Sequence, residues 1–239
     1  MSRPFARTLA VAGVALLVPF ALAAQGRGAG SAADSIKFSY PASPQLEALK
    51  AEAVKEIDAK AKMIQEMVDQ VFSFGELGMQ EFETSKFLTG VLEQNGFKVE
   101  RGVAGMPTAW VARWGSGKPV ISLGSDIDGI PQTNTKPGVG FRDQYVVGAP
   151  SHGEGHNSGV PLNIAAALVV KKIMEREKMQ GTLVLWPGVA EEQMTGKAFL
   201  VRAGIFKDVD ITLFTHVGQD LGVSWGQSGS TALISAQFK

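Results

Sequence analysis

The chain has 239 residues, 45% of them hydrophobic and 19% charged, which fits one large or two small globular domains and excludes disordered and fibrous proteins. Lysine plus arginine and aspartate plus glutamate both number 23, so the net charge of zero argues against a nucleic-acid partner and favours a small or neutral one. The lack of cysteine excludes disulfides and thiolate metal ligands.

The first 24 residues have the pattern of a secretory signal peptide. Arg3 and Arg7 give a basic start, an apolar run covers 8–23, and the small residues at 21–23 suit a signal peptidase. Retention as a membrane anchor is the alternative, but the run is short for a bilayer span, which needs about 20 apolar residues. We therefore expect export to the periplasm or extracellular space, no membrane contact after cleavage, and a small, polar linker over 25–42.

The next part of the chain is predicted to be helical and then to form strands. Helical spacing predicts one long helix over 44–74, capped by Ser43, and a second helix over 80–94 that stops at Asn95-Gly96. Seven apolar positions mark the expected buried stripe of the long helix: Leu49, Val54, Ile57, Ile64, Met67, Val68 and Val71. The stretches FKVERGV, TAWVARWG and PVISLGSD, which end at Asp126, then have the pattern of strands.

The second half of the chain alternates helices and strands. A buried helix is predicted over 159–178, a buried strand over 181–189, a helix over 190–204 and a strand over 209–218. Short links between strand, helix and strand favour parallel pairing. The expected fold class is therefore α/β, with an open, mostly parallel sheet and helices on both faces.

Polar residues follow three of these strands. Asp126 and Asp128 come after the first, Glu191 and Glu192 after the second, and His216 ends the third. In an open α/β sheet, ligands bind outside the carboxyl ends of the strands. These three strand ends therefore predict a site at one edge of the sheet.

The stretch SHGEGHN at 151–157 contains two of the chain's three histidines. In an extended loop, His152, Glu154 and His156 point the same way, and imidazole with carboxylate is a ligand set for borderline cations, chiefly zinc. Each polar group also has a structural alternative: a polar turn for this loop, an acid-rich helix start for the glutamate pair, and an aspartate-rich turn before Gly129.

Five motifs occur in a fixed order: FSFGELGMQEFETSKFL, GSDIDGIP, HGEGHN, GVAEEQMTGKAFLVRAGIF and ITLFTHVG. In this order the chain resembles, over roughly residues 65–239, the zinc aminoacylase and glutamate-carboxypeptidase family. The amidohydrolase branch is most similar, which includes hippurate, indole-acetyl-amino-acid and aminobenzoyl-glutamate hydrolases. The last group is nearest, because GHN replaces the commoner GHD.

The resemblance implies a set of metal ligands for two divalent ions, with zinc expected and manganese, cobalt or nickel as options. These ligands are Glu154, His156, Glu192 and His216. Glu154 departs from the branch, which usually has a cysteine at this position, but a carboxylate can bridge two ions. The role of His152 stays open.

The resemblance also implies catalytic roles. Glu191 would be the general base that takes a proton from the metal-bound water and delivers it to the leaving amine. Asp128, with Asp126 as a second candidate, would orient a metal ligand. The implied reaction is hydrolysis of an amide bond in an N-acyl amino acid or a small peptide.

A lid domain interrupts the catalytic domain in this family and provides much of its dimer contact. Residues 229–239 resemble the first strand of that lid, so the catalytic domain is expected over 43–228, with the lid only begun. A homodimer is expected for a full-length form. The alternative is a catalytically incomplete fragment, or a non-catalytic module that binds metal or ligand.

Overall fold

The computed structural model describes residues 43–136, 138–219 and 222–226. The predicted signal peptide (1–24), linker (25–42) and lid strand (229–239) lie outside the described residues. Within the described ranges, no helix combines the length and the apolar character that a bilayer crossing requires.

Three helices are followed by three strands, after which helices and strands alternate. The helices are α1 (Pro44–Asp58), α2 (Ala61–Phe74), α3 (Phe82–Gln94), α4 (Gly159–Arg176) and α5 (Gly196–Arg202). The strands are β1 (Lys98–Arg101), β2 (Trp110–Ser116), β3 (Val120–Asp126), β4 (Gly181–Gly188) and β5 (Ile211–Phe214). Short 3-10 turns cover Val103–Gly105 and Glu191–Gln193.

The five strands form one mixed sheet in the order β1-β2-β4-β3-β5. Strand β3 pairs in parallel with both β4 and β5, whereas β2 is antiparallel to β1 and β4. Strand β2 is reversed because only a short link joins it to β1, and a parallel pair would need a longer crossover. Four strands therefore run in one direction, and the predicted α/β class is confirmed.

The central strand β4 is almost entirely buried, which requires cover on both faces of the sheet. Side chains from the sheet and the helices meet in one apolar core. Its largest fully buried members include Trp110, Leu88, Leu92, Ile164, Leu185 and Leu200.

The prediction of one helix over 44–74 is wrong, because the chain forms two helices with a break at Ala59 and Lys60. Helix α1 buries no residue, and Val54 in its expected stripe is 62% exposed. Of that stripe, only Met67 and Val71 are buried, both in α2. The break separates α2, which packs into the core, from α1, which lies on the surface of α4.

The predicted helix over 190–204 is also shorter than expected. Residues Glu191–Gln193 form a 3-10 turn, and α5 begins only at Gly196. Ala190 and Met194, on either side of the turn, have left-handed backbone angles (φ +51° and +56°), which a continuous α-helix does not permit.

Candidate metal centre

The parallel strands β3, β4 and β5 bring their carboxyl ends to one edge, and the loop before α4 joins them there. Two groups of side chains each place one ligand atom per residue within 4.8 Å of the others. The first group is Asp126, His156 and His216, and the second is Glu154, His156 and Glu192. The structure therefore brings together all four predicted ligands and adds Asp126.

The two histidines face each other through their Nε2 atoms, which are 3.1 Å apart. Nδ1 of His156 lies 2.9 Å from the carbonyl oxygen of Asp128, and Nδ1 of His216 lies 2.9 Å from that of Val217. A carbonyl oxygen only accepts, so each Nδ1 carries the hydrogen, and each Nε2 of a neutral ring has a free lone pair. Two lone pairs at 3.1 Å repel unless a proton or a metal ion lies between or beside them, so this pair can hold a metal ion in place of a proton.

The surrounding charges also favour a cation at His156, which is 3% exposed. Burial alone would lower its pKa, but the close contacts with Asp128 and the negative charges of Asp126 and Asp128 raise the pKa to about 9. The field that attracts a proton to this imidazole also attracts a metal ion, and the two compete for Nε2.

Two glutamates complete the groups. Oε2 of Glu154 lies 3.9 Å from Nε2 of both His156 and His216, and its side chain is half exposed. Oε1 of Glu192 is buried without a hydrogen-bond partner. Burial raises the pKa of Glu192, and the charge of Glu154 raises it further. A divalent cation would relieve this crowding of carboxylates.

Asp128 is fully buried and links two predicted ligands. Its carbonyl oxygen accepts from His156, and its Oδ2 accepts the backbone N–H of Glu192 at 3.1 Å. Its Oδ1 has no hydrogen-bond partner and lies 3.7 Å from Nδ1 of His156. These contacts are the ones that a residue orienting a ligand requires.

Glu191 differs from its neighbour Glu192 because it belongs to neither ligand group of the described residues. Its side chain is 35% exposed, and Oε1 lies 4.0 Å from Nζ of Lys197. The same ammonium lies 2.9 Å from Asp126, whose pKa is raised by burial and held down in part by Lys197. The sequence interpretation missed Lys197, because no pattern marks a lysine on α5 as a partner of a carboxylate after β3.

His152 belongs to neither ligand group and anchors the loop to α2. It is 6% exposed, and its Nε2 lies 3.1 Å from the carbonyl oxygen of Val71, to which it donates. Burial lowers the pKa of His152 to about 4, so the ring is neutral near pH 7. Asn157 donates to the carbonyl of Val68 at 3.3 Å, which makes a second anchor.

Known proteins with similar sequences include two hydrolases. A p-aminobenzoyl-glutamate hydrolase subunit of Escherichia coli is 35% identical over 160 residues, which are 67% of this chain and 33% of that protein. IAA-amino acid hydrolase ILR1-like 2 of Arabidopsis thaliana is 30% identical over 158 residues, which are 66% of this chain and 34% of that protein. No family model matches the chain.

A solved structure has the same fold. The YXEP protein of Bacillus subtilis, a dinuclear metal binding peptidase from the M20 family, aligns with a TM-score of 0.55 and 25% identity, over 72% of this chain and 45% of that one. The chain spans about a third of the length of the curated relatives that it matches.

Proposed function

Because the chain belongs to the amidohydrolase branch of the M20 peptidase family, we propose that it contributes the metal centre of a metal-dependent amidohydrolase. The substrate is an N-acyl amino acid or a small peptide. The observation that carries the proposal is the pair of Nε2 atoms of His156 and His216, 3.1 Å apart with both Nδ1 atoms bonded to carbonyls.

Two divalent ions fit the donor set, and zinc suits its imidazole nitrogens and carboxylate oxygens best, with manganese, cobalt or nickel as alternatives. Glu154 would be the ligand shared between the ions, and the distance of 3.9 Å from its Oε2 to Nε2 of both histidines supports this role. His156 with Glu192 would hold one ion, and His216 with Asp126 is the remaining pair of donors. When bound, such ions polarise an amide carbonyl and make water more acidic.

Glu191 carries the proton transfer. It lies beside the ligands without being one of them, so its carboxylate is free to accept a proton from water and give it to the leaving amine nitrogen. The ammonium of Lys197, 4.0 Å from Oε1 of Glu191, would help to orient this carboxylate. Asp128 orients His156 through its carbonyl oxygen and Glu192 through its Oδ2, which accepts the backbone N–H of Glu192.

The substrate class follows from the chemistry that the relatives share. Both p-aminobenzoyl-glutamate and IAA-amino acids, named in the two curated relatives, join an acyl group to an amino acid through an amide. We extend the proposal to an exported protein, supported by the pattern of the first 24 residues, and to a homodimer of the full-length form, supported by the family resemblance.

Two neighbouring variants test this function in the full-length protein. Glu191→Gln should lower kcat on p-aminobenzoyl-glutamate or hippurate by roughly 10²–10⁴-fold with unchanged metal content, because only the base is lost. Glu192→Gln should lower the metal content itself. Elemental analysis measures the metal content per chain. Turnover is measured with and without chelator. A wild-type protein that holds no metal and ignores chelator contradicts the proposal, and full turnover in Glu191→Gln contradicts the role of Glu191.

A further inference from the structure

The segment 75–81 (GELGMQE) belongs to the first of the ordered motifs, yet it supplies no residue to either ligand group. It runs between α2 and α3 and contacts three of the four stretches of chain that carry the site. These stretches are the one after β3, the loop before α4 and the turn after β4.

Two of these contacts are made by backbone atoms. The carbonyl oxygen of Glu76 accepts the N–H of Gly129 at 2.7 Å, one residue after Asp128. A β-carbon at Gly75 would lie 3.0 Å from the carbonyl oxygen of Pro150, so the segment lies directly against the start of the loop before α4. A residue larger than glycine at Gly75 or Gly129 would therefore have to displace neighbouring backbone atoms.

The third contact is with the turn that carries the two glutamates. A β-carbon at Gly78 would lie 2.7 Å from Cα of Ala190. Gln193 donates to the carbonyl of Gly78 at 3.4 Å. The segment therefore packs against both ends of the Glu191–Gln193 turn.

Glu81 links the segment to the same turn through its side chain. Its side chain is fully buried, its Oε1 accepts the N–H of Ala190 at 2.9 Å, and its Oε2 accepts the hydroxyl of Thr108 at 2.5 Å. Burying a carboxyl group is costly, and an apolar residue would fill the same space without that cost. The hydrogen bond to Ala190 is what an apolar residue could not provide.

We propose that Glu81 is a positioning residue, which fixes the direction of Glu191 and Glu192 through the backbone N–H of Ala190. Ala190 has a left-handed backbone that a residue with a side chain rarely adopts, so the turn needs a bond that holds it there. The inference rests on the proposed function for its consequence in catalysis. The bond between Glu81 and Ala190 itself requires no bound ion.

Three variants of the full-length chain test this. Glu81→Ala removes both hydrogen bonds, and Glu81→Gln keeps an acceptor for Ala190 and a donor toward Thr108. Thr89→Ala is the matched control. Like Glu81, Thr89 is a buried polar residue with a hydrogen bond, but it lies within α3 and makes no hydrogen bond to the Glu191–Gln193 turn. If Glu81→Ala does not fold, Glu81→Asp replaces it, since its shorter side chain cannot reach both partners.

The first measurement is amide hydrogen exchange in the peptide 188–194 without metal. Glu81→Ala should exchange about tenfold faster there than wild type, as expected for one buried hydrogen bond lost, while Thr89→Ala and Glu81→Gln stay near wild type. The second measurement is zinc affinity, which should weaken by about 10–100-fold in Glu81→Ala and be restored in Glu81→Gln.

The outcomes separate the two proposals. Faster exchange confined to the turn in Glu81→Ala supports the positioning role, even if the wild type binds no zinc and the proposed function fails. Unchanged exchange in that peptide, or equal changes in Thr89→Ala, overturns the positioning role while leaving the metal centre intact. A turnover loss in Glu81→Ala should appear in kcat more than in KM, because the base is displaced and not the substrate site.

Discussion

At the scale of single residues, the site depends on a close approach between the side chain of Asp126 and the backbone of Gly188. The carboxylate of Asp126 occupies the position that a β-carbon at Gly188 would take, and Lys197 lies 3.0 Å from the same point. A larger residue at the end of β4 would therefore push Asp126 away from His156 and His216. A glycine in a strand often marks such a close approach, but the sequence alone does not show which group approaches.

Gly188→Ala should consequently weaken zinc binding by roughly 10-fold or more, because it moves a carboxylate of the first ligand group. It should also destabilise the protein by about 1–3 kcal/mol, the usual cost of overpacking. Calorimetric titration and urea unfolding measure the two effects.

Gly90→Ala is the matched control, since a β-carbon at that position on α3 meets no atom within 4 Å. It should raise stability by about 0.5–1 kcal/mol through helix propensity and leave zinc affinity unchanged. Wild-type affinity in Gly188→Ala would show that Asp126 is not a ligand or a neighbour of one.

At the scale of elements, ion pairs attach pieces of chain that the apolar core does not hold. Helix α1, which buries no residue, contacts α4 through Lys172 with Glu56 at 2.8 Å and through Arg176 with Glu52. The start of β5 is held in a similar way. Asp210 accepts the N–H of Val120 at 2.7 Å and pairs with Lys118 at 2.8 Å.

These pairs make part of the stability dependent on pH. The hydrogen bond from Lys118 lowers the pKa of Asp210 below its ordinary 3.8. A carboxylate with a lowered pKa in the folded state stabilises the fold above its unfolded pKa, and this contribution is lost as pH falls through the folded value. Asp210→Asn should therefore lose less stability than wild type on acidification below about pH 4.

Urea unfolding between pH 2.5 and pH 6 measures this difference. Asp69→Asn, on an exposed face of α2, is the control and should follow the wild-type curve. An Asp210→Asn curve parallel to that of wild type through the acid range would contradict the assigned contribution of Asp210.

At the scale of the described fold, the metal centre connects chain segments that are distant in sequence. The side chains of the site lie at the end of β3, in the loop before α4, and in the segments that follow β4 and β5. An ion bound by all of them exists only in the folded state. Binding to the folded state alone stabilises it by mass action.

Added zinc should raise the thermal midpoint of the full-length protein, with a stabilisation of about 2.7 kcal/mol when free zinc exceeds Kd by a hundredfold. Scanning calorimetry with zinc, and then with excess chelator, measures the rise and its reversal. His156→Ala should show no zinc-dependent rise, because His156 belongs to both ligand groups. A wild-type midpoint that is the same with zinc and chelator would argue against an ion in this site.

The sequence by itself determined the order in which helices and strands follow one another along the chain, the α/β class and the family. It also predicted where the site lies, because apolar periodicity is local and the carboxyl ends of parallel strands always meet at one edge. Asp126, Glu192 and His216 could thus be assigned to one place without knowledge of the packing. The family resemblance then supplied their proposed roles, which the geometry permits.

Only the tertiary structure decided the contacts between distant residues. The break between α1 and α2 depends on which face reaches the core, and the short turn at Glu191–Gln193 depends on what packs against it. Lys197 and Asp126 are 71 residues apart, and Glu81 and Ala190 are 109 apart. No local pattern encodes such pairs, because a hydrogen bond between them exists only after the sheet has brought both chain segments together.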